Sequence, residues 1–373
     1  MTGARAGLDL DTPALVIDAE KMQQNIMGMA GVAEGRGVAL RPHVKTHKIP
    51  TVARRQVEAG AAGITVAKVS EAEVMADGGL DDIFVAYPLV TETKIQRALG
   101  IAKRGVRVIL GVDSLPGARK LSSLARDEGV TAEVRLEVDS GLGRTGVPRG
   151  EAANLAREIS ALGNLDLTGV YTYRGAVLED GSPTLGLEEA GRLEGELMVS
   201  VAEEIRGIGV PISDVSVGST PTAGHAGGVE GVTEIRPGTY VFYDRMQAEM
   251  GACSLPECAL RVVVTVVSRP RADLAIIDGG SKTFATDVQP KVAPLNLTGF
   301  GHVVGHPDAV LERVTEEHGM LSVDEDSDLR IGDTVEIIPN HVCSTVNLHD
   351  AVYLWTADGS MEKVRVAARG MVR

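Results

Sequence analysis

Residues 41–48 read Arg-Pro-His-Val-Lys-Thr-His-Lys: two histidines, two lysines and an arginine within eight positions. The apolar run Gly-Val-Ala-Leu precedes them and Ile-Pro-Thr-Val follows. A primary amine that is partly desolvated and close to other cations loses its proton more easily and becomes a nucleophile, which suits Schiff-base chemistry with a carbonyl compound. Lys45 is the candidate amine. On an extended chain His43, Lys45 and His47 would share one face, because side chains alternate along a strand. The plain alternative is a solvated lysine in a loop.

Four further stretches carry chemistry. "VGSTPTAG" holds Gly218, Ser219 and Thr220, and "EIRPGTY" holds Arg236, Gly238 and Thr239. Small residues let backbone N–H groups approach an anion, and hydroxyls add donors. "EVDSGLGRTGV" sets Arg144 in a glycine-rich turn. "IIPNHVCSTVNLHD" holds His341 and Cys343 at i, i+2, on one face if the segment is extended. Imidazole with thiolate is a borderline-soft donor pair that suits zinc. A buried free cysteine beside a structural histidine is the alternative.

These residues need a scaffold. Short β-branched runs start near residues 38, 63, 83, 107, 133, 167, 214 and 234, and segments of helical period separate them. Strict alternation of strand and helix predicts parallel pairing. Eight such units predict an α/β fold, a closed (β/α)8 TIM barrel over residues 12–244, with an open doubly wound sheet as the alternative. Beyond residue 244 the pattern changes to strands without long helices, such as "ALRVVVTVVSRP", "LAIIDGG", "DTVEIIPN" and "AVYLWTA". This predicts a C-terminal β-rich domain over 245–373, taken together with residues 1–11. The "TPALVIDA" segment near the N-terminus is a candidate to join it.

Barrel chemistry sits at the C-terminal ends of the strands. Lys45 is placed at the end of the first strand, Arg144 after the fifth, and the two Gly/Thr clusters at the ends of the seventh and eighth. Loops after strands seven and eight are the usual phosphate site of such barrels. A phosphate opposite a Schiff-base lysine points to pyridoxal 5′-phosphate, whose anionic phenolic oxygen Arg144 could meet.

Composition limits the partners. The net charge is −14 over 373 residues and aromatics are 3%. That combination argues against nucleic acid or an anionic membrane surface, and no apolar run of membrane-spanning length is present. The three cysteines, Cys253, Cys258 and Cys343, fit a reduced, cytoplasmic setting better than a disulfide framework.

Taken together, "TPALVID", "RPHVKTHK", "VDSGLGRTGV", "VGSTPT", "EIRPGTY", "IIDGGSKTF" and "EEHG" resemble the alanine-racemase-like, fold type III group of pyridoxal-phosphate enzymes. Within it they resemble the D-threonine aldolase and D-serine dehydratase branch. The resemblance covers nearly the whole chain. It implies that Lys45 carries the cofactor and that Arg144 meets the cofactor 3′-oxygen. It implies that Gly218, Ser219, Thr220, Gly238 and Thr239 cradle the phosphate. Tyr173 stands where racemases place a histidine flanking the ring, and Arg236 matches an arginine near the pyridine nitrogen. The resemblance also implies a divalent metal, bound by His341 and Cys343, and a homodimer. Cys343 occupies a position that is aspartate in D-threonine aldolases, which favours zinc over manganese. The small-molecule substrate implied is a β-hydroxy-D-amino acid. The expected reaction is a lyase cleavage of the D-threonine aldolase type, giving glycine and an aldehyde. Dehydration of D-serine or 3-hydroxyaspartate to a 2-oxo acid and ammonia is the alternative, and a non-catalytic pyridoxal-phosphate carrier is a remote one.

Overall fold

A computed structural model describes residues 10–175, 178, 179, 182, 183, 186–293 and 295–373. The chain divides into two compact units. One comprises Ile26–Val177, Thr184–Gly238 and Met371–Arg373; the other comprises Met1–Asn25, Leu178–Pro183 and Thr239–Gly370.

The first unit is built on eight parallel strands: Ala39–Leu40, Ile64–Val66, Asp82–Pro88, Arg107–Val112, Ala132–Asp139, Leu165–Tyr171, Asp214–Val217 and Glu234–Ile235. Their order in the sheet follows the chain, with the eighth pairing back onto the first. The ends of the sheet meet through a parallel bridge between His43 and Thr65. Ala62 N–H donates to Leu40 O at 2.8 Å and Thr65 N–H to Pro42 O at 2.7 Å, so the barrel closes. The first and eighth strands are much shorter than the runs 38–45 and 234–244 from which they were expected. Pro42 and Pro237 have no N–H to give a ladder, so the regular strands end before each of them, although their carbonyls still accept from Thr65 N–H and His43 N–H.

Alternation along the strands sorts side chains into two layers. On the fifth strand Val134, Leu136 and Val138 join the apolar layer under the helices. Arg135 and Glu137, on the opposite face, are buried polar groups. The helices follow their sequence period. In Leu115–Asp127, Pro116 fits the first turn, Ala118, Leu121 and Ala125 turn inward, and Gly129 at φ 70° reverses the chain just beyond the end. Burying Leu121 alone contributes about 1.5–3 kcal/mol.

The barrel interior holds charge. Glu234 accepts from Arg41 at 2.6 Å and from Arg135 at 2.5 Å. Arg135 also reaches Asp214 at 2.9 Å, and Arg41 pairs with Asp82. Against the burial that opposes it, the flanking Arg135 and Arg41 hold the Glu234 carboxyl at about 2.

The second unit is a mixed sheet centred on the twelve-residue strand Leu260–Arg271, whose Val262, Val264 and Val266 are fully buried. Ala14–Asp18 pairs antiparallel to this strand and parallel to Ala351–Trp355. Leu274–Ile277 and Thr334–Pro339 pair with other stretches of it, both antiparallel. Among the described residues no helix is long and apolar enough to cross a membrane.

Candidate active site

The turn carrying Lys45 is not extended. His43 caps a one-turn 3-10 helix, Val44–Thr46, and its Nδ1 accepts the Lys45 N–H at 3.5 Å. His43, Lys45 and His47 therefore do not share a strand face. His47 is fully buried, with Nδ1 accepting from Ile49 N at 3.1 Å and Nε2 meeting Gln56 Oε1 at 3.2 Å. Desolvation lowers its pKa to about 4, so the buried ring is neutral. Lys48 follows at φ 57° and forms a buried ion pair with Glu71 at 2.9 Å. That pair and the His47 bonds fix the turn that presents Lys45.

Around Lys45 the barrel unit collects positive charge. Lys45 Nζ lies 5.7 Å from the centre of the Tyr173 ring, and the Arg144 guanidinium lies 5.1 Å from the same ring. Tyr173 follows the sixth strand and is 40% exposed, so this aromatic is partly open to solvent while within reach of both cations. His43 is pushed well below the ordinary histidine range, first by desolvation and then by Lys45, Arg236 and Arg144. Three cations from three separate strand ends thus converge on one neutral imidazole.

Each cation is held in place. Asp139 Oδ1 accepts from Gly141 N at 2.9 Å and Gly143 N at 3.1 Å, which shapes the turn before Arg144. Thr145 Oγ1 donates to Glu137 at 2.8 Å, and Tyr171 Oη donates to the same carboxylate at 3.0 Å. Burial raises the Glu137 pKa. Arg236 donates to Ser216 Oγ and to the Thr172 carbonyl, and Ser216 in turn donates to Glu234 at 2.5 Å.

Gly218, at φ 86°, opens the turn after the seventh strand. Gly238 N–H donates to Thr220 Oγ1 at 3.2 Å, tying together the turns after strands seven and eight. A Cβ on Gly238 would lie 2.9 Å from His43 O, so only glycine lets this backbone approach the Lys45 turn.

His341 and Cys343 stand in the other unit. They are not on a strand: the ladder ends at Pro339, His341 caps the short helix Val342–Val346, and Cys343 lies in its first turn. The two side chains are in hydrogen-bond contact all the same. His341 Nδ1 meets Asp287 Oδ2 at 2.5 Å, and Ser344 Oγ donates to the same oxygen at 2.9 Å. Burial works against the His341 charge, but the Cys343 sulfur and the Asp287 carboxylate overcome it and raise the pKa to about 11. Asp244, fully buried, accepts from Val342 N at 2.9 Å and anchors this helix. Thr239 Oγ1 lies 3.7 Å from Cys343 Sγ. His349 instead bonds the Thr283 carbonyl at 3.1 Å, and Asp350 pairs with Arg369 at 3.0 Å.

Asp287, Asp244, Glu137 and Glu71 are not singled out by sequence. "TDVQP" and "FYDR" have no spacing signal toward "HVC", because their partners lie tens of residues away. Among the described residues no group of three or more His, Cys, Asp or Glu side chains is set to hold a metal ion.

The donors present fit the implied groups. Converging cations beside a glycine-and-hydroxyl turn suit a phosphorylated, anionic aldehyde cofactor. An imidazole oriented by a carboxylate, beside a thiol in contact with it, suits a borderline-soft divalent cation.

Known proteins resemble this chain over nearly its whole length. Residues 17–246 match the alanine racemase N-terminal domain family, and residues 259–355 match a serine dehydratase domain family. A D-threo-3-hydroxyaspartate dehydratase of Delftia sp. (strain HT23) is 36% identical over 95% of this chain and 97% of its own length. A D-threonine aldolase of Arthrobacter sp. is 30% identical over 98% of this chain and 94% of its own. Among solved structures, a cysteine-to-alanine variant of a D-threo-3-hydroxyaspartate dehydratase, in the metal-free form, superposes with a TM-score of 0.88. It is 34% identical and covers 96% of this chain and 97% of that one.

Barrel, mixed sheet and lysine-centred cation cluster define a fold type III, alanine-racemase-like enzyme. The chain belongs to the D-threonine aldolase and D-serine dehydratase branch of that family, the pyridoxal-phosphate-dependent lyases of β-hydroxy-D-amino acids.

Proposed function

We propose that this chain eliminates water from a β-hydroxy-D-amino acid of the 3-hydroxyaspartate or serine type, and that the resulting imine takes up water again to leave ammonia and a 2-oxo acid. The observation that carries the reading is the His341–Cys343 pair, held by Asp287. A cysteine in this pair is the feature that departs from the aldolase pattern. A related dehydratase is described in a metal-free form, which supports a metal in such enzymes.

Bound pyridoxal phosphate supplies an electron sink for charge at Cα, and a divalent cation supplies a Lewis acid for the β-hydroxyl. Lys45 holds the cofactor through its amine. When it is not holding the cofactor, the Lys45 Nζ would be the group to accept the Cα proton. The 3-10 turn, braced by the Lys48–Glu71 pair, keeps the amine at a fixed position for both tasks. Arg144 and Arg236 neutralise anionic oxygen and orient the ring. Gly218, Ser219, Thr220 and Gly238 receive the phosphate, and Tyr173 flanks the ring. Thr239 stands with Cys343 on the metal side. His341 and Cys343 would hold the cation, zinc before manganese. The family resemblance supports a homodimer, and three free cysteines support a reducing cytoplasm.

Aldol cleavage is the second reading, favoured by the likeness to a D-threonine aldolase. Product analysis on D-threo-3-hydroxyaspartate, D-serine and D-threonine decides between them. Dehydration predicts ammonia and a 2-oxo acid in equal amounts. Glycine and an aldehyde as the main products would overturn it.

A further inference from the structure

Glu194 is a fully buried carboxylate in the barrel unit with no ion pair among the described residues. It lies on the helix Leu187–Gly207, and the helix is shaped to bring it in. Gly191 and Gly195 flank it. A Cβ at Gly191 would lie 2.7 Å from His225 Cβ, and one at Gly195 would lie 2.7 Å from Val229 Cγ2. The two glycines let this helix press against residues 222–229. At that distance Glu194 Oε1 accepts from Gly218 N at 3.2 Å and from Arg174 N at 3.4 Å, and Oε2 accepts from Thr222 Oγ1 at 3.3 Å. Thr222 Oγ1 itself receives the Ser219 N–H at 3.2 Å and meets Ser219 Oγ at 2.9 Å. One carboxylate therefore ties the turn after Tyr173 to the turn formed by Gly218–Thr222. Desolvation raises its pKa, the ordinary consequence of placing an acid there.

Burying a carboxylate is unfavourable, and an apolar residue would fill this helix position at less expense. We propose that Glu194 is a positioning residue that holds the Gly218–Thr222 turn in the shape that receives the phosphate of the cofactor. The inference rests on the cofactor reading above, because it presumes that this turn meets a phosphate. It assigns Glu194 no contact with substrate. Its effect is specific to the phosphate end: loosening the turn misaligns the Gly218 and Ser219 groups while leaving the Lys45 amine where it is.

The test compares two probes, pyridoxal phosphate and pyridoxal, which share the aldehyde and differ in the phosphate. Full-length wild-type protein, Glu194→Ala and Glu194→Gln are freed of cofactor by dialysis against cysteine. Each is then titrated with either probe, followed by visible absorbance. Wild type should bind the phosphorylated probe more tightly. Glu194→Ala should lose about tenfold or more in affinity for pyridoxal phosphate and keep its affinity for pyridoxal within about threefold. Glu194→Gln keeps an acceptor for the two backbone N–H groups but not for the Thr222 hydroxyl, so its loss should be smaller. A purely structural role would weaken both probes equally, and an unchanged ratio in both variants overturns the inference. If Glu194→Ala does not fold, the ratio measured on Glu194→Gln decides. Failure of wild type to prefer the phosphorylated probe would refute the phosphate cradle itself, a result separate from any difference among variants.

Discussion

Replacing Gly238 by alanine puts a methyl group where the Lys45 turn already stands. The new Cβ would lie 2.9 Å from the His43 carbonyl oxygen, 3.1 Å from His43 Cβ and 3.2 Å from Thr46 Oγ1. Comfortable contacts for carbon begin near about 3.5 Å, so the turn or the Pro237–Gly238 backbone must move by roughly half an ångström. Neither moves freely. His43 N–H donates to Pro237 O at 2.9 Å, and Lys48 is locked to Glu71 just beyond. Overpacking of this kind costs about 1–3 kcal/mol. If the Lys45 turn takes up the strain, cofactor affinity falls by the corresponding factor, about 5- to 150-fold. Titration with pyridoxal phosphate, followed by visible absorbance, reads that change, and thermal unfolding reads any part spread through the fold. Gly100→Ala is the control. Gly100 lies within the helix Glu92–Ala102 with nothing within 4 Å of an added Cβ, so alanine there should be neutral or stabilise by about 0.5–1 kcal/mol. A Gly238→Ala protein with wild-type affinity and wild-type melting would refute the claim that glycine is needed for the close approach to the Lys45 turn.

Three other outcomes are expected. His47 is neutral in the fold with a pKa of about 4 and would take up a proton near 6.5 when unfolded. The unfolded chain thus binds the extra proton between those values, and the contribution present above pH 6.5 is lost as pH falls toward 4, by roughly 3 kcal/mol. His47→Gln should flatten that part of the stability–pH curve; an unaltered curve in the variant would exclude the residue as its source. Removing one partner of the buried Lys48–Glu71 pair should cost about 3–5 kcal/mol in chemical denaturation. The paired replacement Lys48→Met with Glu71→Leu should restore most of it, and additive losses would show that the two do not act as a pair. Cys343→Ala, purified without added ions, should lose bound divalent metal by elemental analysis, while wild-type metal content would remove the thiol from the ligand set.

Much of the architecture was legible because it is written in local periods. Eight alternations of β-branched run and helical stretch gave the barrel, and the loss of helical period after residue 244 marked the mixed sheet. Lys45, Arg144 and the Gly218–Thr220 turn could be named because strand ends are where barrel chemistry gathers, and Tyr173 and Arg236 because of the family resemblance. The shape of the lysine turn could not. An alternating pattern cannot register that the extended chain ends at His43, which caps a 3-10 turn, so the shared face drawn for His43, Lys45 and His47 dissolved. The same happened to His341 and Cys343, which came together through a helix start rather than along a strand.

The sequence by itself determined which elements form and which reactive side chains stand at their ends, since both depend on residues close along the chain. Only the tertiary structure decided which side chains hold those groups in place. Glu194 meets Gly218 across 24 positions, Glu71 meets Lys48 across 23, and Asp287 meets His341 across 54. Contacts over such separations arise from the closing of the barrel and the packing of each unit, and no local pattern encodes them.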